Sequence, residues 1–126
     1  MTDFTKYQQA AAQTARGSVD MDLQKTRVSV AAMGLAGECG EVVDALKKWV
    51  GHDHPFNREE IVKEMGDVLW YLAELGTALG ISLDEVAEKN EAKLRLRYPE
   101  GFSVEKSITR TAETLVYEKP RSRSCD

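Results

Sequence analysis

Apolar residues recur every three or four positions through most of this chain, which is the period of an amphipathic α-helix. The pattern predicts four helices, over about residues 4–15, 26–50, 57–79 and 82–98. We find no stretch with the strict alternation of a half-buried strand. The chain is therefore predicted to be all-α, an antiparallel four-helix bundle with short connections.

Residues that start or stop helices support these boundaries. Gly17, Gly51 and Gly80 are predicted to end the first three helices. Asn57 begins the third, because Glu60 stands three residues later in a capping-box arrangement. The fourth begins at Ser82 in the same way and stops before Pro99.

The chain beyond Pro99 carries weaker signals. Ser103 is predicted to cap a short helical turn that reaches Ile108. Residues 1–110 are predicted to form one helical domain, and residues 111–126, which are mostly polar, a flexible C-terminal tail.

Two pairs of carboxylates interrupt the apolar faces of the second and third helices. Glu38 and Glu41 are three residues apart, and so are Glu64 and Asp67, so each pair shares one helix face. Burying one unpaired carboxylate costs several kcal/mol of folding free energy, and like charges in one pocket add to that cost. A divalent cation is the simplest compensation. Ligands that are all oxygens favour Mg²⁺, with Mn²⁺ as a substitute.

Two other interpretations of these acids stay open at this point. A di-iron carboxylate bundle would need Glu-x-x-His on two helices. Here the third residue after Glu38 is Glu41, and the third after Glu64 is Asp67, so that site is disfavoured. Alternatively, all four acids are solvated or paired with lysines, as surface acids often are.

The second helix also contains Gly34, Gly37 and Gly40. A glycine inside a helix costs up to about 1 kcal/mol relative to alanine, so something is expected to approach this backbone closely. A nucleobase, another helix or plain helix packing would each explain the glycines.

Asn90, Lys93 and Arg97 follow one another at helical spacing on the fourth helix. Cations beside a carboxylate–metal centre suit a polyphosphate, which would bridge the metal and these side chains. A solvated basic edge is the alternative.

Composition narrows the class of protein. The net charge of −4 and the pI of about 5.3 argue against a nucleic-acid binder that relies on a basic surface. Two cysteines without metal-site spacing predict a reducing compartment. No secretory signal or membrane-length apolar run is visible, so we expect a cytoplasmic protein.

Three stretches resemble one known family, the MazG-like branch of the all-α NTP pyrophosphatases. Residues 34–44 read GLAGECGEVVD, residues 64–72 read EMGDVLWYL, and residues 89–99 read KNEAKLRLRYP. They are similar to the family's E-x-x-E and E-x-x-D motifs and to its closing segment. The resemblance covers about Tyr7 to Ile108.

The resemblance implies hydrolysis of nucleoside triphosphates to the monophosphate and pyrophosphate, as nucleotide-pool house-cleaning. It implies that Mg²⁺ is held by Glu38, Glu41, Glu64 and Asp67, the first two also being candidates for the general base. It implies that Asn90, Lys93 and Arg97 bind phosphate oxygens. It also implies a homodimer or a tetramer built from dimers. Some relatives have a further acid where this chain has Gly37, so a mechanism that needs that acid is not expected here.

Two other functions are consistent with the same residues. One is a narrow-specificity pyrophosphatase for dUTP or dCTP, which would differ in the groups that contact the base. The other is a non-catalytic helical protein that binds nucleotides or a partner, for which the four acids would be dispensable.

Overall fold

The structure is a computed structural model that describes residues 3–15 and 21–109. Its five helices are α1 (Phe4–Thr14), α2 (Met21–Gly51), α3 (Arg58–Leu79), α4 (Leu83–Arg97) and α5 (Val104–Thr109). Within the described ranges no strand occurs, and Pro99 and Gly101 form only an isolated bridge. The all-α prediction is confirmed. Gly17 and residues 111–126 lie outside the described residues.

The ends of α3 are those that its sequence predicts. The Asn57 side-chain oxygen accepts a hydrogen bond from the Glu60 backbone N–H at 3.2 Å. Gly80 has a φ of 69° and donates its N–H to the carbonyls of the preceding turn. A left-handed residue in this place satisfies carbonyls that the helix leaves unpaired, and glycine adopts that conformation without strain.

Helix α2 begins at Met21, earlier than the predicted residue 26. One contact with α3 lies within this added length, and a second follows directly after it. The Gln24 amide donates to the Ala78 carbonyl oxygen, and Arg27 forms an ion pair with Glu74. Contacts of this kind with a neighbouring helix stabilise the first turns of a helix.

The chain divides into two compact units, residues 1–84 and 85–126. In the first unit α3 packs against both α1 and α2. Helices α2 and α3 run antiparallel, because residues near the start of α2 meet the end of α3 and residues near the end of α2 meet its start. Only residues 52–57 connect the two helices.

The core of the first unit consists mainly of small side chains. Its buried apolar residues are Ala11, Ala31, Ala73, Ala78 and Leu83. Gln8 joins α1 to the start of α4, since its carbonyl oxygen accepts from the Leu83 N–H and its amide donates to the Ile81 carbonyl oxygen, both at 2.9 Å. Alanines at the contacts let the helices approach closely.

The second unit contains most of α4 and all of α5. The Arg97 guanidinium lies over the Tyr98 ring, 5.7 Å from its centroid, and Tyr98 packs against Phe102. Ser103 accepts a long hydrogen bond from the Lys106 N–H, 3.4 Å, at the start of α5. This matches the predicted cap. None of the described helices combines the length and apolar character that a membrane crossing requires.

Candidate functional site

Three of the four predicted acids come together between α2 and α3. Glu38 on α2 and Glu64 and Asp67 on α3 each offer a carboxylate oxygen, and these oxygens lie within 4.8 Å of one another. We call these three residues the acidic cluster. All three are partly buried. Glu41 lies outside the cluster and is exposed.

The antiparallel pairing of α2 and α3 explains why these acids meet. Glu64 and Asp67 share one face of α3, as their spacing predicts, and Glu38 faces them from the middle of α2. Three residues correspond to about 300° of helical rotation, so Glu41 points about 60° away from Glu38. Asp67 has the same offset from Glu64 and still joins the cluster, so the rotation of α2 about its axis, which turns Glu38 and not Glu41 toward α3, makes the difference.

A lysine side chain partly balances the negative charge of the cluster. Lys63 Nζ lies 2.8 Å from Glu64 Oε1 and 3.9 Å from Asp67 Oδ2. Its hydrogen bond with Glu64 and the charges of Glu64, Asp67 and Glu38 raise the pKa of Lys63. The ammonium group stays charged at neutral pH, and the Lys63 side chain is 70% exposed. Its attraction to the acids is therefore screened by water.

The donor set of the cluster suits a hard divalent cation. Every ligand atom it offers is a carboxylate oxygen, and three carboxylates carry more negative charge than one exposed lysine neutralises. Mg²⁺ and Mn²⁺ prefer such ligands, whereas zinc and copper favour histidine or cysteine. Among the acids, histidines and cysteines of the described residues, these three form the group whose ligand atoms are close enough together to hold one metal ion.

Helix α1 places a phenol close to the cluster. The Tyr7 hydroxyl is 3.5 Å from the Gly66 carbonyl oxygen, which is long for a hydrogen bond. Burial and the nearby charge of Asp67 raise the pKa of Tyr7. The phenol is therefore a neutral donor beside Asp67 at physiological pH.

The glycines of α2 differ in their surroundings. A Cβ atom at Gly34 would lie 2.1 Å from Cε1 of Tyr71, so the ring packs on the bare backbone. At Gly37 and Gly40 the same atom would meet nothing within 4 Å. Helix packing thus explains Gly34, while the faces of Gly37 and Gly40 are open.

The predicted phosphate-binding residues lie on α4, in the second unit. Asn90 is exposed, whereas Lys93 and Arg97 are partly buried. Arg97 stacks on the neighbouring Tyr98 ring. Their roles in phosphate binding remain predictions.

An apolar groove runs beside the cluster along α2 and α3. Its volume is about 560 Å³, and its lining consists of Cys39, Val42, Val62, Met65, Gly66, Val68, Leu69 and Leu72. We call it the α2–α3 groove. Val62 is 48% exposed and Met65 57%, so one chain leaves much of this apolar surface in water.

Sequence reasoning missed Lys63 and Tyr7. The signal for Lys63 was available, since it precedes Glu64 and stands four residues before Asp67, a spacing at which opposite charges pair on a helix. Tyr7 gave no such signal, because its place depends on how α1 packs on α3.

Comparisons with known proteins identify the family of this chain. The family model described as MazG nucleotide pyrophosphohydrolase domain matches residues 27–102. Gene 37 protein of Mycobacterium phage L5 is 38% identical over 101 residues, which cover 75% of this chain and 88% of that protein. Uncharacterized protein YvdC of Bacillus subtilis (strain 168) is 33% identical over 73 residues, 51% of this chain and 69% of that protein. No solved structure matches the chain.

Proposed function

The chain belongs to the MazG nucleotide pyrophosphohydrolase family, and on that premise we propose that it hydrolyses nucleoside triphosphates, ribose or deoxyribose, to the monophosphate and pyrophosphate. The reaction requires Mg²⁺ and serves to remove unwanted nucleotides from the cytoplasmic pool. The observation that carries the proposal is the acidic cluster, three carboxylates within 4.8 Å in a chain of this family.

In this proposal Glu38, Glu64 and Asp67 hold the metal ion. A divalent cation bound there supplies positive charge that neutralises the polyphosphate and polarises the phosphoryl group under attack. Lys63 would compete with this cation for Glu64, because its ammonium group is hydrogen-bonded to Glu64 Oε1.

Glu41 is the proposed proton acceptor for the attacking water. A carboxylate neutralised by a cation is a weak base, and this applies to Glu38 once it serves as a ligand. Glu41 lies three residues from Glu38 and outside the cluster, so a cation held by the other three acids leaves its oxygens available to accept a proton. The sequence also predicts Glu41 as a fourth metal ligand. In that role Glu41 would be necessary for metal binding, whereas as the proton acceptor it would be necessary for turnover alone.

Asn90, Lys93 and Arg97 are the proposed phosphate-binding residues. The amide and the two cations donate hydrogen bonds and bear no competing negative charge, which suits the oxygens of a polyphosphate. Arg97 offers a planar fork for two oxygens, and Lys93 a compact point charge.

We propose that the working form is a homodimer, or a tetramer of two dimers, in which a second copy covers the α2–α3 groove. Exposed Val62 and Met65 support this, because large apolar patches on a folded chain usually mark an interface.

Product analysis tests the proposed reaction. Purified protein is incubated with Mg²⁺ and a panel of ribo- and deoxyribonucleoside triphosphates. We expect monophosphate and pyrophosphate, lost in Glu64→Gln and kept in Glu59→Gln, whose side chain is 84% exposed and pairs with Arg58. Orthophosphate as product would contradict the site of cleavage. Turnover of dUTP or dCTP alone would replace the broad specificity with the narrow one, and nucleotide binding without turnover would indicate a binding protein.

A further inference from the structure

Tyr71 on α3 packs directly on the backbone of Gly34 on α2. A Cβ atom at Gly34 would lie 2.1 Å from Cε1, 2.4 Å from Cδ1 and 2.5 Å from Cζ of the ring. No side chain larger than hydrogen fits at residue 34 while the ring stays in place. The contact therefore fixes how closely α2 and α3 approach each other here.

This contact lies one helical turn from the acidic cluster on both helices. Gly34 is four residues before Glu38, and Tyr71 is four residues after Asp67. Residues four apart share a helix face and are separated by about 6 Å along the axis. A change in helix spacing at Gly34 and Tyr71 is thus transmitted to the carboxylates with little attenuation.

The ring of Tyr71 has limited freedom to move away. The neighbouring Trp70 ring meets it edge-on, with centroids 5.0 Å apart and an interplanar angle of 85°. Trp70 is itself held from α1, since its Nε1–H donates to the Thr14 hydroxyl at 2.8 Å. We therefore expect an added methyl at Gly34 to push the helices apart as well as to turn the ring.

We infer that the Gly34–Tyr71 contact is a positioning element for the acidic cluster, setting the separation at which Glu38 meets Glu64 and Asp67. It acts through packing, so the ring is needed and the phenol hydroxyl is not. The inference rests on the proposed function in one respect, namely that the cluster binds a divalent cation.

The chain supplies a matched control in the same helix. A Cβ atom at Gly37 would meet nothing within 4 Å. Gly37→Ala adds the same methyl to α2, closer in sequence to Glu38, without disturbing Tyr71. Any effect specific to Gly34→Ala therefore comes from the contact and not from altered helix propensity.

The experiment measures Mn²⁺ binding to the metal-free protein by electron paramagnetic resonance, without nucleotide, and helix content by circular dichroism. Gly34→Ala is expected to weaken binding about tenfold, as changes just outside a ligand set do. Gly37→Ala and Tyr71→Phe are expected to bind as the wild type does. Gly34→Ala/Tyr71→Leu is expected to bind more tightly than Gly34→Ala, because the smaller side chain leaves room for the methyl.

The inference is overturned by wild-type affinity in Gly34→Ala, by a double variant that binds no better than the single one, or by a loss in Tyr71→Phe. If Gly34→Ala does not fold, Tyr71→Leu tests the contact from the other side, and unchanged affinity there overturns it too. A wild type that binds no Mn²⁺ overturns the proposed metal centre itself. Wild-type binding with no effect of Gly34→Ala overturns the positioning role alone.

Discussion

Arg27 and Glu74 form a bidentate ion pair between α2 and α3. The Arg27 Nε–H donates to Glu74 Oε1, and Nη2 lies 2.9 Å from Oε2. The side chains are 16% and 7% exposed, so the pair is largely removed from water. Among the residues that the structure describes, Glu74 is the charged residue that is buried. The pair fixes the register in which α2 runs along α3.

Arg27→Met is expected to lower the free energy of unfolding by about 3 kcal/mol, because it leaves the buried Glu74 carboxylate without a partner. Urea denaturation measures this change. Arg27→Met/Glu74→Leu should recover most of the loss, since a buried ion pair and an apolar pair of similar volume are often comparable in stability. A double variant as unstable as the single one would contradict this account.

Asp67→Asn is expected to abolish Mg²⁺ binding and turnover without destabilising the metal-free protein, because it relieves repulsion within the acidic cluster. In the wild type, Mg²⁺ at a hundred times its Kd should add about 2.7 kcal/mol of stability, and the variant should gain none. Thermal denaturation with and without Mg²⁺ measures both. Glu59→Gln serves as the control for loss of one acid on α3. Turnover lost only through unfolding would refute the prediction.

Lys63→Gln is expected to tighten Mg²⁺ binding, because the ammonium group no longer competes for Glu64. The gain should reach at most about fivefold, since an exposed pair contributes up to about 1 kcal/mol. It should shrink as salt is added. Isothermal titration calorimetry provides the measurement. Lys47→Gln is the control, because Lys47 pairs with Asp44 away from the cluster. Weaker binding in Lys63→Gln would show that Lys63 assists the metal.

The pKa of Tyr7 is expected to fall in Asp67→Asn. A negative charge nearby favours the neutral phenol, so the Asp67 carboxylate raises the pKa and its removal lowers it. Burial, the larger cause, persists and keeps the pKa above the ordinary value. Carbon NMR of labelled tyrosine, with Tyr7→Phe for assignment, follows the titration. An unchanged pKa would mean that Asp67 does not act on the phenol.

Much of the fold could be predicted from the sequence, because α3 carries its own boundary signals. Asn57 and Gly80 cap it as their residue types require. The predicted start of α2 is five residues too late, because the apolar pattern on which it rests begins at Val28 and the earlier residues include Gln24, which contacts α3. Contacts between distant residues leave no local mark in a sequence.

In the candidate site, too, local spacing could be predicted from the sequence, whereas contacts between helices could not. Spacing correctly places Glu64 and Asp67 on one face, but which acid of α2 meets them depends on how α2 is rotated about its axis. The same rotation separates Gly34, which contacts Tyr71, from Gly40, whose face is open. Residues three apart turn progressively away from one neighbour, so repeated spacing alone does not say which member makes the contact.

The α2–α3 groove has a thiol in its wall, since Cys39 is exposed and lines it. The chain has two cysteines, so Cys125→Ser leaves Cys39 as the sole thiol. The rate at which a thiol reagent modifies Cys39 then measures how much of the protein has an uncovered groove. A chain that works alone would react at one rate at every concentration, whereas a chain that covers its groove with a second copy would react more slowly as it is concentrated.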